Sequence, residues 1–427
     1  MKVLLLGSGG REHALAWALS QSPLCDTLYI APGNPGSHAC GVNVALDALD
    51  FEQVLEFIGD KDIGLTVVGP EQPLVAGITD FLEAKGHAVF GPSTIASQLE
   101  GSKQFAKDFM ARHNIPTAAY KVFSEDYYAE ALAYVDAHNQ YPVVLKADGL
   151  AGGKGVLIPE NREELLAGLE ELRTGSLQDA AQTLVIEEFM PGEEASVFAL
   201  CDGEHFEIMG TAQDHKRQLD GDKGPNTGGM GAYSPSPLLA EDMLNSVSET
   251  IIAPTIAGMA AEGNPYKGFL YVGLMMTSAG PKVVEYNCRF GDPECQVVIP
   301  RLRSDLLTHL VQSTRGELLG EDIVFDQQYR TTVVLVSGGY PVSYDKGFPI
   351  FGLDELEKVE AVQVFHAGTK DQDGQLCTAG GRVLNVVGTG STLQESISMA
   401  YKGLESISFE GMFYRKDIGA KGLNHVS

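Results

Sequence analysis

Four scarcities narrow the possibilities before any motif is considered. The chain has one tryptophan, six cysteines without a C-x-x-C pair, 30 basic residues against 57 acidic ones, and no apolar run approaching the ~18 residues that cross a membrane. The cysteines (Cys25, Cys40, Cys201, Cys288, Cys295, Cys377) follow no zinc spacing and read as free thiols, which points to a reducing, cytoplasmic compartment. At the N-terminus the apolar run 3–6 meets Arg11 and Glu12 and is too short for a signal peptide. A net charge of -27 repels nucleic acid and anionic lipid, so neither nucleic acid nor a membrane is an expected partner. Any anionic ligand then has to be held by local groups. Repeats and low-complexity tracts are missing too, and 44% hydrophobic with 20% charged residues excludes wholesale disorder.

Glycine is the excess: 49 of 427 residues, about 11% against a usual 7%. At about 150 residues per domain, 427 residues suggest about three domains. Residues 1–101 alternate short apolar runs (3–6, 27–31, 65–69, 88–91) with helical stretches at 12–21 and 75–85, the βαβ pattern of a parallel sheet. Ser102 is placed to cap a helix on which Phe105 and Phe109 share a face, and a domain boundary is expected there. A central domain is expected over 102–326, with a small α+β lobe at about 120–192 that contains strands at 142–147, 156–158 and 183–187. A third domain, 327–427, holds several strands and a helix whose Thr392 and Glu395 fit a capping box. The fold class is therefore α/β and α+β.

Five segments carry chemistry. Gly7-Ser8-Gly9-Gly10-Arg11-Glu12 follows a strand and opens a helix, where free N–H groups and the helix dipole favour an anion. A dinucleotide fingerprint wants a small residue where Glu12 stands and an acid about 20 residues on, where this chain has Ala31-Pro32-Gly33-Asn34, so a nicotinamide cofactor is not expected. A tight turn without a ligand is the competing reading.

Between Lys146 and Gly155 lies a second glycine-rich stretch, Asp148-Gly149-Leu150-Ala151-Gly152-Gly153-Lys154. It departs from a Walker A loop: three residues, not four, separate Gly149 from Gly153-Lys154, Gly155 stands where Ser or Thr is required, and a strand follows. The pattern reads as a hairpin loop closing over phosphates, because a buried strand lysine beside a loop lysine is unfavourable without an anion. Third, Glu187-Glu188-Phe189-Met190-Pro191-Gly192-Glu193-Glu194 ends a strand; its backbone can meet a flat heterocycle and Glu194 can accept from a ribose, although by itself it reads as a solvated acidic turn.

In the fourth segment, Glu285 and Asn287 alternate onto one strand face, about 7 Å apart at Cα, and can share one hard cation such as Mg²⁺. Arg289 continues that face and can pair with a phosphoryl group, whereas a bare polar strand face is the alternative. The fifth, Gln213-Asp214-His215-Lys216-Arg217 with the glycine-rich 224–233, reads as a mobile substrate loop, and His215 is open to two readings, base or structural residue.

In order, GSGGREHALAW, VVGPEQPLVAG, LEGSKQFAKDF, LKADGLAGGKGV, IEEFMPGEEAS, QDHKR, GPNTGGMGAYSP, EYNCRFGDPE, HAGT, GGRVL and YRKDIG resemble the ATP-grasp superfamily and, within it, the glycinamide ribonucleotide synthetase family almost end to end. The resemblance implies a Rossmann-like N-terminal domain on the phosphoribosylamine side, an ATP-grasp domain with a small cap lobe, and a β-rich C-terminal domain with no further fused enzyme. It implies that ATP, glycine and 5-phosphoribosylamine give glycinamide ribonucleotide, ADP and phosphate in de novo purine synthesis, with Mg²⁺ or Mn²⁺ as metal. A monomer, or a weak dimer, is expected.

By the same resemblance Lys103 and Lys146 hold ATP phosphates under the loop Gly152, Gly153, Lys154 and Gly155. Glu187, Phe189 and Met190 form the adenine hinge, with Glu188 in the same segment, and Glu194 takes the ribose. Glu285 and Asn287 bind the metal, and Arg289 stands beside the transferred phosphoryl group, with Lys146 and Asp292 as further catalytic residues. Gly9, Gly10, Arg11, Asn34, Pro70 and Glu71 line the phosphoribosylamine side; Asp214, Gly291 and Asp292 face glycine. Two rivals remain at this point: another ATP-grasp ligase, such as a biotin-carboxylase-like enzyme, and a catalytically silent nucleotide-sensing module.

Overall fold

The computed structural model describes residues 1–124, 127–150, 155–175, 182–318, 323–356 and 359–426. The loop residues Gly152, Gly153 and Lys154 lie outside them, whereas Gly155 is described. Strand Lys2–Gly7 is the centre of a five-stranded parallel sheet, flanked by Thr27–Pro32 and Val42–Asn43 on one side and by Leu65–Val68 and Val89–Phe90 on the other. Leu4, Leu5 and Leu6 are all fully buried, as expected of a parallel strand covered on both faces. Strand order reverses at Lys2–Gly7, so a crevice opens beyond its carboxyl end, where Gly7 to Gly10 lead into helix Gly10–Leu19.

The helix expected over 75–85 is two, Glu71–Ala76 and Ile78–Glu83, because Gly77 adopts the left-handed conformation (φ 99°) and ends the first. Ser102 caps helix Lys103–Arg112 by accepting from the Phe105 amide, and Phe105 stacks on Phe109. The small lobe is a four-stranded antiparallel sheet ordered Tyr120–Ser124, Thr183–Glu188, Val143–Ala147, Val156–Leu157, with helices Tyr128–His138 and Arg162–Thr174 on it. Leu145, Leu165, Leu169, Leu172 and Leu184 form its separate core.

An eight-stranded antiparallel sheet runs from Gly280–Asn287 through Lys267–Thr277, Glu193–Asp202, Phe206–Asp214, Gly231–Ser234, Tyr329–Val336 and Arg382–Gly390 to Val362–His366. It is continuous across position 327, since Gly231–Ser234 pairs with Tyr329–Val336. Helix Leu393–Leu404 covers strand Arg382–Gly390; Thr392 accepts from the Glu395 amide while the Glu395 carboxylate reaches back to Ser391.

The stretch 213–233 is not a loose loop. It is built of strands Phe206–Asp214, Arg217–Leu219, Lys223–Asn226 and Gly231–Ser234, the middle two forming a hairpin. Asp220 and Asp222 find fixed partners in the C-terminal segment, the Lys416 amide and the Arg415 guanidinium, which a local reading of glycine content does not reveal.

Candidate active site

Lys103 and Lys107 lie one helical turn apart on Lys103–Arg112 and face the small lobe. Lys107 Nζ stands 3.0 Å from Glu187 Oε2, and Lys146 Nζ stands 3.0 Å from Glu187 Oε1 and donates to the Val284 carbonyl at 3.0 Å. All three side chains are buried, so one carboxylate neutralises two lysines in a poorly hydrated site. Burial lowers the Lys107 pKa to about 8 despite Glu187. Burial also lowers the Lys103 pKa, against the opposing pull of Glu285; its ammonium reaches the carbonyls of Asp148 and Gly149 at 3.4 and 3.2 Å.

On strand Gly280–Asn287 the acidic side chain of Glu285 meets Lys216 Nζ at 3.4 Å. Lys216 also holds Glu194 Oε2 at 2.9 Å. Burial alone raises the Glu285 pKa, but Lys216, Lys146 and Lys103 outweigh it and hold the carboxyl at about 2, fully ionised. Asn287 makes no side-chain hydrogen bond among the described residues. Nor does Asp214, whose pKa is raised by burial and by Glu294, Glu194 and Glu285, with only Lys216 opposing. Among the described residues no group of three or more His, Cys, Asp or Glu can encage a metal alone. An ionised carboxylate and a free amide oxygen on one strand face instead suit a hard cation whose remaining ligands are phosphate and water.

Arg289, just past that strand, turns toward the parallel-sheet domain. Its Nη2 lies 2.8 Å from Glu100 Oε1 and its Nε 3.2 Å from Glu71 Oε2. These carboxylates overcome burial and raise the Arg289 pKa, and the arginines 289 and 11 in turn hold Glu71 at about 2 against its own burial. Arg11 is buried, pairs with Glu12 and donates to the Phe290 carbonyl at 3.2 Å. Glu12 also accepts from the Gly9 amide at 2.7 Å, so one N–H of the expected anion cradle already has a partner. Asn34 donates to the carbonyls of Ser8 (2.8 Å) and His366 (2.9 Å), tying the first loop to the HAGT segment. Asp292 pairs with Arg382 at 3.1 Å and accepts from Gln296 at 2.7 Å.

Residues 1–100 match the phosphoribosylglycinamide synthetase N domain, 101–295 its ATP-grasp (A) domain and 330–421 its C domain. The chain belongs to the phosphoribosylglycinamide synthetase family. A Mesorhizobium japonicum phosphoribosylamine–glycine ligase is 52% identical over 98% of both chains. The crystal structure of the Thermotoga maritima phosphoribosylamine–glycine ligase superposes with a TM-score of 0.85 at 36% identity, over 98% of this chain and 100% of that one. A Campylobacter jejuni biotin carboxylase complex, at 15% identity and a TM-score of 0.71 over 96% of this chain and 92% of that one, shares the fold. ATP-grasp enzymes in general use ATP with Mg²⁺ or Mn²⁺.

The structure links Lys103, Lys146, Glu187, Glu194, Asp214 and Glu285 in one network of charges and Arg11, Glu71, Arg289 and Asp292 in a second. Pro70 precedes helix Glu71–Ala76, which carries Glu71 to Arg289. In the hinge segment Glu188 accepts from the Ala119 amide and pairs with Lys282, Phe189 is 40% exposed and Met190 is buried. Gly291 packs against the Glu294 carboxylate, which a side chain there would have to displace. His215 is buried, and its Nε2 accepts from the Gly419 amide at 3.2 Å, so of its two readings the structural one fits.

Sequence reasoning missed Lys107, Glu100, Lys216 and Arg415. Lys107 had a signal, its helical spacing from Lys103 in LEGSKQFAKDF. Lys216 and Arg415 stood in QDHKR and YRKDIG, but nothing local tells that these two segments meet.

Proposed function

We propose that this chain is an ATP-dependent ligase that joins glycine to 5-phosphoribosylamine, giving glycinamide ribonucleotide, ADP and phosphate in purine synthesis. The observation that carries the reading is end-to-end identity of 52% with a phosphoribosylamine–glycine ligase. A carboxylate is a poor acylating agent, so glycine first attacks the γ-phosphorus of ATP to form glycyl phosphate and ADP. The amine of phosphoribosylamine then attacks the glycyl carbonyl, loses a proton and expels phosphate.

Lys103, Lys146 and the loop Gly152, Gly153, Lys154 and Gly155 grip the phosphates. Glu187, Glu188, Phe189 and Met190 line the adenine side: Glu187 acts by fixing Lys146, and the rest by contact. Glu194 takes the ribose. Glu285 and Asn287 would hold Mg²⁺ or Mn²⁺, which when bound supplies positive charge to the phosphate chain. Arg289 faces the transferred phosphoryl group. Gly9, Gly10, Arg11, Asn34, Pro70 and Glu71 form the phosphoribosylamine side, and Asp214, Gly291 and Asp292 the glycine side. Three domains, 1–101, 102–326 with its cap lobe at about 120–192, and 327–427, divide these tasks. The enzyme works in the cytoplasm as a monomer or a weak dimer. Among the described residues no helix is long and apolar enough to cross a membrane.

Phosphate release is measured with ATP, glycine and phosphoribosylamine together and with each omitted in turn. Release that requires all three is expected; release indifferent to phosphoribosylamine overturns the reading.

A further inference from the structure

Lys216 is held from both sides by the last strap of the chain. On one flank, His215 Nε2 accepts from the Gly419 amide at 3.2 Å. On the other, Arg415 Nη1 donates to the Arg217 carbonyl at 2.9 Å and to Asp222 Oδ1 at 3.0 Å. Arg415 is 1% exposed, and Asp417 holds it with two bonds of 2.8 Å, from Nε and Nη2. Asp417 also accepts from the Gly221 amide at 2.8 Å, and Asp220 from the Lys416 amide at 2.8 Å. The strap is anchored behind by Tyr401, whose hydroxyl donates to the Arg415 carbonyl at 2.8 Å and accepts from the Ile418 amide at 3.0 Å. Lys216 itself has its carbonyl bonded by the Thr227 amide and hydroxyl, both at 2.8 Å. Its side chain ends between Glu194 and Glu285.

We propose that Arg415 is a positioning residue: it fixes Lys216, and Lys216 holds Glu194 and Glu285 at the spacing the nucleotide requires. The C-terminal strap thereby sets the geometry of a site to which it contributes no direct contact. A buried guanidinium bonded to a carbonyl and two carboxylates tolerates little slack, because a displaced Arg415 gives up four hydrogen bonds at once and leaves Asp222 to Lys421 and Asp417 to the Gly221 amide. This inference rests on the nucleotide reading of Glu194 and Glu285.

The test is a double-mutant cycle. Arg415→Lys and Asp417→Asn are each made in the wild-type and the Lys216→Met backgrounds, and the KM for ATP and the affinity for Mg-ATP without glycine are measured. Asp417→Asn serves where Arg415→Lys folds poorly. Either single change is expected to raise the ATP KM about tenfold and to add nothing once Lys216 is gone. A merely structural role would reduce the active fraction, and with it kcat, leaving KM and affinity where they were. That result, or additive effects in the Lys216→Met background, overturns the proposal. Because nucleotide affinity is read without glycine, a chain that binds ATP through the clamp but fails to ligate would sink the ligase reading alone.

Discussion

Arg11 and Arg289 donate to the same acceptor, the Phe290 carbonyl, each from Nη1 at 3.2 Å. Two guanidinium groups on one oxygen repel, and the arrangement holds because Glu12, Glu71 and Glu100 surround them. It also joins the two groups of residues, with Arg11 on the proposed sugar side and Arg289 on the proposed phosphoryl side. Arg289→Lys keeps the charge and loses the planar fork, so it is expected to lower kcat about a hundredfold or more with little change in ATP affinity. Single-turnover rates within tenfold of wild type would show that the fork is not used.

Glu187 is expected to matter as a counter-ion before it matters to any ligand. Glu187→Gln strands two lysines in a dry site and is expected to destabilise the fold by about 3 kcal/mol at neutral pH, measured by urea unfolding. The loss should shrink as pH rises from 7 to 9. Lys107 has a folded pKa of about 8, below its ordinary 10.5, and losing Glu187 lowers it further, so as pH rises toward 8 the folded variant binds fewer protons than the folded wild type and the stability gap closes. A variant equal to wild type in stability at pH 7 contradicts this account.

At Gly10 an added Cβ would meet Asn385 Nδ2 and Gln296 Nε2, each at 2.4 Å. Helix Gly10–Leu19 therefore starts in direct contact with the C-terminal sheet, and Gly10→Val pushes the two apart. The expected outcome is a raised KM for phosphoribosylamine with ATP affinity nearly unchanged, since the lysine cleft lies elsewhere. Steady-state kinetics with each substrate varied will tell; weakened ATP binding would assign the loop to the nucleotide.

Acid should loosen the same junction. His13 Nδ1 accepts from the His366 amide at 2.9 Å, and burial lowers the two imidazole pKa values to about 3 and about 4, from an ordinary 6.5. Both are neutral when folded, while the unfolded chain takes up protons below pH 6.5, so their contribution is complete above 6.5 and is lost as pH falls toward 4. Each histidine is expected to add about 1.4 kcal/mol per pH unit to the slope of unfolding free energy in that window. His13→Gln should flatten the slope between pH 7 and pH 5; an unchanged slope speaks against a buried neutral pair.

What could be read in advance follows from range. Strand alternation put Glu285 and Asn287 on one face, helical spacing put Phe105 over Phe109, and Ser102 announced its cap, because each depends on neighbours a few positions away. Nothing local marks Glu187 as a counter-ion, since its partner Lys107 comes from a helix far upstream. The stretch 213–233 reads as a mobile substrate loop because part of its order is imposed by Arg415 and Asp417, which no local pattern ties to it. Gly77 shows the opposite failure: a helical periodicity continued through a left-handed residue that divides it.

The route of phosphoryl transfer decides what Arg289 is for. Attack by the glycine carboxylate on the γ-phosphorus gives an acyl phosphate and ADP; attack on the α-phosphorus gives an acyl adenylate and finally AMP. Lys103, Lys146 and Lys216 all act on the Glu285 carboxylate, while Arg289 stands past the end of that strand, paired with Glu71 and Glu100. On the proposed reading, Lys103 and Lys146 act along the phosphate chain and Arg289 acts at its far end, where a transferred γ-phosphoryl group develops its negative charge. Glycine labelled with ¹⁸O in the carboxylate is expected to deliver one labelled oxygen to inorganic phosphate per turnover, because the carboxylate oxygen bonded to phosphorus leaves with it when the amine attacks. Mass spectrometry of the phosphate reads the label directly. Label recovered in AMP, or unlabelled phosphate alongside product, would exclude glycyl phosphate and remove the reason for placing Arg289 at the transferred group.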